Sequence, residues 1–248
     1  MADADPPDRP LARHWEEQAE AWAAWARAPD HDSFWHFNGQ AFLSLLPPAP
    51  LSTLDLGCGE GRLTRELTRL GYTTVGIDAA PSLIRLAQAE APQGSYLVAD
   101  AARLPFANGT FDLVVAFMSL MDVDDLPAAV SESARVLKRG GWLVLAVTHP
   151  LNDAGAFESN EPDAPFVIRG SYFGRRRFEE RVERDGLGMH FRGWADPLET
   201  YTSALERNGL LIEAIREPVP SEELVERMPG YWRWRRVPLF LHVRALKR

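Results

Sequence analysis

Leu54-Asp55-Leu56-Gly57-Cys58-Gly59-Glu60-Gly61-Arg62 is the stretch whose reading decides the fold. It joins a short apolar run, Leu54 to Leu56, to a helically spaced segment that starts near Gly61 and stops at Gly71. Glycines at a strand-to-helix turn let backbone approach a ligand closely and leave helix N-terminal amides near its polar atoms. Alone, such a turn is a weak signal. Downstream, Asp78 and Ala79 follow a second expected strand, Thr73 to Ile77; Asp100 and Ala101 follow a third, Ser95 to Ala99; Phe117 closes a fourth, Phe111 to Phe117. Strand C-termini at the switch point of an open α/β sheet line one crevice, so these residues are expected to converge.

Outward from that turn, apolar runs alternate with amphipathic helices, Pro81 to Glu90 and about Leu126 to Leu137, and a fifth strand covers Trp142 to Thr148. This is the pattern of parallel βα units with both sheet faces covered. A helix over Pro197 to Arg207 and strands over Leu210 to Arg216 and Leu239 to Leu246 complete the core. Five segments follow: a disordered Pro- and Asp-rich tail over 1–10, an N-terminal helical lid over 11–50, a core over 51–150, an insertion or second lid over 151–195, and C-terminal core elements over 196–248. Within 11–50, Asp32 or Ser33 is placed to cap the second helix, which Pro47-Pro48 ends.

The 248 residues are 46% apolar and 25% charged, as in an ordinary globular protein. A net charge of -8 opposes non-specific contact with nucleic acid or anionic membrane. No apolar run approaches the roughly 20 residues that span a bilayer, and the acidic start is unlike a signal peptide, so the expectation is a cytoplasmic protein. Oligomeric state has no signature here. A single cysteine, Cys58, excludes an intrachain disulfide and a cysteine-cluster metal site, and no metal is expected. Four of the eight tryptophans, Trp15, Trp22, Trp25 and Trp35, precede the first strand.

A nicotinamide dehydrogenase is the first rival, since an acidic residue about 20 positions after the glycines holds a ribose in that fold. Its fingerprint wants glycines at 57, 59 and 62, whereas Arg62 stands at the last of these. Asp55 beside the turn suits an amine better than a pyrophosphate. The implied ligand has an amino-acid end, a ribose and an adenine, and no phosphate.

The runs LDLGCGEGR, GIDAAPSL, ADAARLPFANGTFDLVVAFMSLMDVDD and RVLKRGGWLVLAVTHP resemble the successive motifs of class I S-adenosylmethionine-dependent methyltransferases, and more narrowly the bacterial small-molecule group related to quinone-pathway methylases. The resemblance covers about residues 51 to 150. It implies a three-layer Rossmann-like methyltransferase fold, a mostly parallel seven-stranded sheet with an antiparallel last strand. It also implies S-adenosylmethionine as cofactor, S-adenosylhomocysteine as product and a small-molecule acceptor methylated on oxygen or nitrogen rather than carbon. Asp55, Gly57, Cys58 and Gly59 would meet the methionine end, with Arg62 beside them. Asp78, followed by Ala79, would take the ribose hydroxyls; Asp100 and Ala101 would take the adenine; Phe117 would line the methionine end by its carbonyl.

Methyl transfer needs an acceptor held in line and, where the acceptor carries a proton, a base. His149, directly after strand five, is the first candidate; His190 and Asp196 are weaker ones. Relatives often carry His-Arg-Pro-Leu where this chain has Ala195-Asp196-Pro197-Leu198, which leaves an inherited base open and keeps a non-catalytic cofactor-binding module as an alternative. Met118, Met121 and Asp122, which follow strand four, are expected to border the acceptor, although ordinary helix-to-sheet packing is an equal alternative. Trp25, Arg27 and Trp35 are expected to form an aromatic lid, with Trp15 and Trp22 packing on the core. Arg175-Arg176-Arg177 and Trp232-Arg233-Trp234-Arg235-Arg236 keep an RNA methyltransferase as a further alternative, although solvated surface charge is their commoner meaning.

Overall fold

From residue 52 to residue 98 the chain alternates strand and helix. A computed structural model describes residues 10–28 and 30–248. The expected tail falls on 1–9, outside the described residues; Pro10 already opens the first helix.

Helix α1 runs Pro10–Arg27 and is followed by a π-helical turn, Phe34–Asn38, that continues into α2, Gly39–Leu43. The core proper contains β1 (Ser52–Leu56), α3 (Arg62–Arg69), β2 (Thr73–Asp78), α4 (Pro81–Glu90), β3 (Ser95–Val98), β4 (Phe111–Phe117), α5 (Leu126–Val136) and β5 (Leu137–Thr148). A second block holds α6 (Pro150–Asp153) and two hairpins, β6 (Gly155–Phe157) with β7 (Phe166–Ile168) and β8 (Arg176–Arg184) with β9 (Leu187–Ala195). Then come α7 (Leu198–Arg207), β10 (Leu210–Arg216), α8 (Glu222–Arg227), a 3₁₀ turn over Pro229–Arg235 and β11 (Phe240–Lys247).

Strand order is β10-β11-β5-β4-β1-β2-β3. β1 pairs in parallel with both β2 and β4, so the order reverses there and the crevice opens at that switch point. β11 runs antiparallel between β5 and β10. The last strand is therefore antiparallel, as expected, but interior to the sheet.

Successive residues of a strand face opposite layers. On β4, Val114 and Ala116 meet the layer of α5 and α7 with Val130, Tyr201 and Leu205, while Leu113 and Val115 meet Phe34, Phe42, Leu63 and Leu67. Three layers result. The second helix expected in the lid is shorter than its spacing suggested: Ser33 makes no side-chain cap, and the Asp32 carboxylate instead accepts the Phe34 amide at 2.9 Å, at the start of the π turn.

Candidate functional site

Glycine is required at two points of the turn after β1. Gly57 and Gly59 have φ of +73° and +56°, and a Cβ on Gly57 would lie 2.5 Å from that of Ser119. Four of the turn's amides are committed inside the protein: those of Gly57 and Cys58 both donate to the Ile77 carbonyl (2.9 and 2.8 Å), Gly59 donates to Asp78 Oδ2 (2.9 Å) and Gly61 to the Cys58 carbonyl (3.0 Å). Beside them the turn presents glycine Cα surface and one fixed carboxylate to a ligand.

That carboxylate is Asp78, at the end of β2. Gly59 holds one oxygen and the Ala80 amide the other at 2.9 Å, so its orientation is set while the side chain stays half-exposed. Burial raises its pKa against those amide bonds. A pair of vicinal hydroxyls fits such an acceptor. Ala79 is exposed beside it, and Asp100, after β3, accepts the Ala102 amide at 3.0 Å with Ala101 half-buried next to it.

Asp55 is placed differently from the expectation of an open carboxylate. It is buried under the turn at 1% exposure, its Oδ2 accepting the Thr64 hydroxyl at 2.6 Å, and burial pushes its pKa up to about 7. Any influence it has on a ligand passes through the turn. Cys58 is also buried, and burial followed by the charges of Asp55 and Asp78 pushes its thiol well up, which leaves it inert.

The lid packs as one body with the β8–β9 hairpin. His14 Nε2 meets the His190 carbonyl at 2.8 Å, and Trp22 and Trp25 both stand edge-on to Phe191. Trp22 roofs the turn: a Cβ on Gly59 would lie 3.1 Å from its Nε1. Sequence spacing assigned Trp22 to the core because one helical stripe joins it to Trp15, and the two rings do touch. The stripe shows which residues share a face; it is silent about the surface that face meets.

Three expected lid and cofactor residues are corrected. Trp25 is buried between His31 and Phe191, turned to the hairpin. Trp35 is 60% exposed and lines an outer pocket with His36, Ser221, Glu223, Leu224 and Arg227, because its neighbour Phe34 takes the inward position against Phe117. Arg62 is spent on the lid: it donates to the Ala26 carbonyl (3.1 Å), pairs with Asp32 and lies over the Phe34 ring. Arg27 acts similarly, joining Glu60 at 3.1 Å and Glu90 at 3.5 Å. Glu60, buried and gripped by Arg27 and Arg65, thus fastens the end of α1 to the turn.

On the acceptor side, the Phe117 ring packs on Phe34 and Phe42, and Met118 takes a φ of +53° and joins the same apolar cluster. Met121 packs on the main core. Beyond them Asp122 lies deep yet half-exposed, and burial, then the charges of Asp78 and Asp153, raise its pKa well above the carboxylate range. The Tyr201 hydroxyl feels Asp196, Asp153 and Asp122 together. Asp196, 3% exposed, has an ion pair with Arg175 at 3.4 Å and no hydrogen bond to either oxygen; Trp194 Nε1 and Arg176 Nε beside it are buried and unbonded as well. Asp122 was expected beside the acceptor from its place after strand four, whereas Asp153 escaped sequence reasoning; the signal available was an acidic residue just past the end of the neighbouring strand five.

His149 is corrected as a base. Its Nδ1 accepts the Leu151 amide at 3.0 Å, capping α6, so Nε2 carries the proton and faces Glu217 Oε1 at 3.0 Å. No lone pair remains. His190 is likewise engaged, with Glu179 at 2.7 Å. Among the described residues no group of three or more His, Cys, Asp or Glu side chains is arranged to hold a metal ion, and no helix is long and apolar enough to cross a membrane.

Comparison with known proteins agrees with this geometry. Residues 54–145 match a family described as a methyltransferase domain. A crystal structure of an S-adenosylmethionine-dependent methyltransferase from Mesorhizobium loti superposes with a TM-score of 0.70 at 25% identity, covering 88% of this chain and 99% of that one. An uncharacterized methyltransferase of Synechocystis sp. is 40% identical over 98 residues, 39% of this chain and 46% of the relative. A ubiquinone biosynthesis O-methyltransferase of Methylobacterium nodulans is 39% identical over 105 residues, 41% of this chain and 42% of the relative. The chain thus spans about half the length of these curated relatives. Residues 54–145 therefore carry a methyltransferase domain, and the sheet order and overall fold are those of the class I S-adenosylmethionine-dependent methyltransferases.

Proposed function

We propose that the protein transfers a methyl group from S-adenosylmethionine to an oxygen or nitrogen of a small organic molecule. The observation that carries this reading is a carboxylate fixed by two backbone amides at the end of β2, beside a tight glycine turn in which Arg62 stands where a dinucleotide fingerprint needs glycine. A carboxylate so placed suits the vicinal hydroxyls of a ribose. Asp78 would hold the ribose hydroxyls, the Gly57–Gly59 turn under Trp22 the amino-acid end, and Asp100 and Ala101 the adenine. When bound, this cofactor supplies a methyl carbon on a sulfonium; the acceptor's lone pair takes it, and the carbon–sulfur bond breaks with its pair on sulfur.

Several of the arginines that would favour RNA are partnered within the protein, although Arg175, Arg235 and Arg236 stay exposed. Arg175 serves Asp196 and the Val123 and Asp124 carbonyls, Arg176 the Asp153 carbonyl, and Arg235 and Arg236 the carbonyls of Pro220, Pro162 and Ala164. A small acceptor fits better.

Calorimetry with S-adenosylhomocysteine tests the reading, NAD serving as the control. Asp78→Ala is expected to weaken binding by about 1.5 to 3 kcal/mol for each lost charge-assisted bond. Unchanged affinity, or equal binding of NAD, overturns the reading.

A further inference from the structure

Once His149 is set aside, the acceptor side of the crevice has one carboxyl without a partner. Asp122 sits on the 3₁₀ turn after β4, Leu120–Asp122, and among the described residues nothing donates to its side chain. β9 makes room for it: a Cβ on Gly193 would stand 2.5 Å from Asp122 Oδ1. The groups facing it are Asp78 from β2, Asp153 from α6 and the Tyr201 hydroxyl from α7. Arg175, a cation bound to the residues just after this turn, donates to the Val123 and Asp124 carbonyls and pairs with Asp196. Asp124 and Asp125 are used by the Leu11 and Ala128 amides. Asp196, buried with both oxygens short of hydrogen bonds, marks unfilled polar capacity that also acts on Tyr201.

We infer that Asp122 takes the proton given up by the acceptor, and that the acceptor therefore reacts through a hydroxyl or an amine bearing hydrogen, seated in the crevice on the side of Asp122 away from Gly193. The inference rests on the methyl-transfer reading. In the step, the acceptor's lone pair forms the bond to the methyl carbon, the departing pair stays on sulfur, and the acceptor's proton moves to an Asp122 oxygen; one positive charge on sulfur and one negative charge on Asp122 vanish together.

The surroundings fit this exchange. Burial first, and then the charges of Asp78 and Asp153, make Asp122 resist ionisation. A positive charge in the crevice opposes both effects, so Asp122 ionises with the methyl donor bound and holds a proton once the sulfur is neutral.

The two cofactor forms share every titrating group and differ in that one charge, so the test needs no acceptor. Binding of S-adenosylmethionine and of S-adenosylhomocysteine is measured calorimetrically near neutral pH in buffers of different ionisation enthalpy. The methyl donor is expected to release more protons than the product form, and Asp122→Asn to abolish the difference while still binding the product form. Infrared difference spectra of the two wild-type complexes give a second reading that needs no variant: a protonated-carboxyl band present with the product form and absent with the donor. Equal proton release from wild type, a difference that survives in Asp122→Asn, or an unchanged infrared band overturns this inference alone. Failure of both forms to bind overturns the functional reading as well.

Discussion

A methyl group at residue 193 would meet Asp122 Oδ1 at 2.5 Å and the Met121 carbonyl at 3.0 Å, whereas one at residue 188 of the same strand meets nothing within 4 Å. Gly193→Ala is therefore expected to cost about 1–3 kcal/mol through overpacking, and Gly188→Ala to be close to neutral. Urea midpoints of the two variants check this. Asp55 gives a prediction of a different kind. Its folded pKa near 7 lies above the unfolded value of about 3.9. Between those values the folded state binds more protons, so its contribution to stability falls as pH rises from about 4 to 7 and then levels, a change of about 4 kcal/mol at most. Asp55→Asn keeps an acceptor for Thr64 and removes the titration. Its stability relative to wild type is expected to be more favourable at pH 8 than at pH 5, and a pH-independent difference would count against the buried placement. At this scale the sequence made Gly57, Gly59 and Asp78 legible, because their spacing from strand ends is local. The inward turn of Asp55 depends on Thr64 in the next helix, and the ring nitrogens of His149 are claimed by Leu151 and by Glu217, a residue far along the chain. Neither follows from residue type.

Among the elements, α1 illustrates how a lid is fastened by polar contacts as well as by its buried face. Helix α4 starts at Pro81 after Ala80, whose methyl cannot cap it; Glu16 of α1 supplies the missing acceptor, bonding the Ser82 hydroxyl and taking its amide at 2.9 Å. Glu16→Ala is expected to cost about 1 kcal/mol, as loss of a cap does, and to speed hydrogen exchange in both α1 and the first turn of α4. Faster exchange confined to α1 would show that α4 does not depend on it. The βα alternation was readable because each unit buries one face with its own period. The hairpin inside 151–195 was partly readable: Asp185 and Gly186, with φ of +51° and +77°, form the tight turn that this dipeptide favours between alternating strands. Its docking on α1 was not readable, since contacts such as His14 with His190 join residues 176 positions apart.

For the molecule as a whole, the seven-stranded sheet depends on its last strand. β11 is bonded on one side to β5 and on the other to β10, and Leu241, Val243 and Ala245 are buried in the main core. A chain stopped after Leu239 keeps the glycine turn, Asp78 and Asp122, yet is expected to lose its monodisperse elution and its binding of S-adenosylhomocysteine. Gel filtration and calorimetry on that truncation check the expectation; retained binding would show that β1 to β5 fold without closure of the sheet. Fold class was legible from residues 51 to 150, whereas the interior position of β11 was not, because strand order is a property of the assembled sheet.

The interior place of β11 also bears on how the protein is made. Synthesis proceeds from the N-terminus, so β1 to β5 are available to pair while residues 240–247 are still missing. Throughout that interval the outer edge of β5 carries unpaired amides and carbonyls beside Val144, Leu145, Ala146 and Val147, an open template for another nascent chain. Slow translation of the stretch after β5 lengthens that exposure, and chaperone demand should track the speed at which codons 149 to 247 are read.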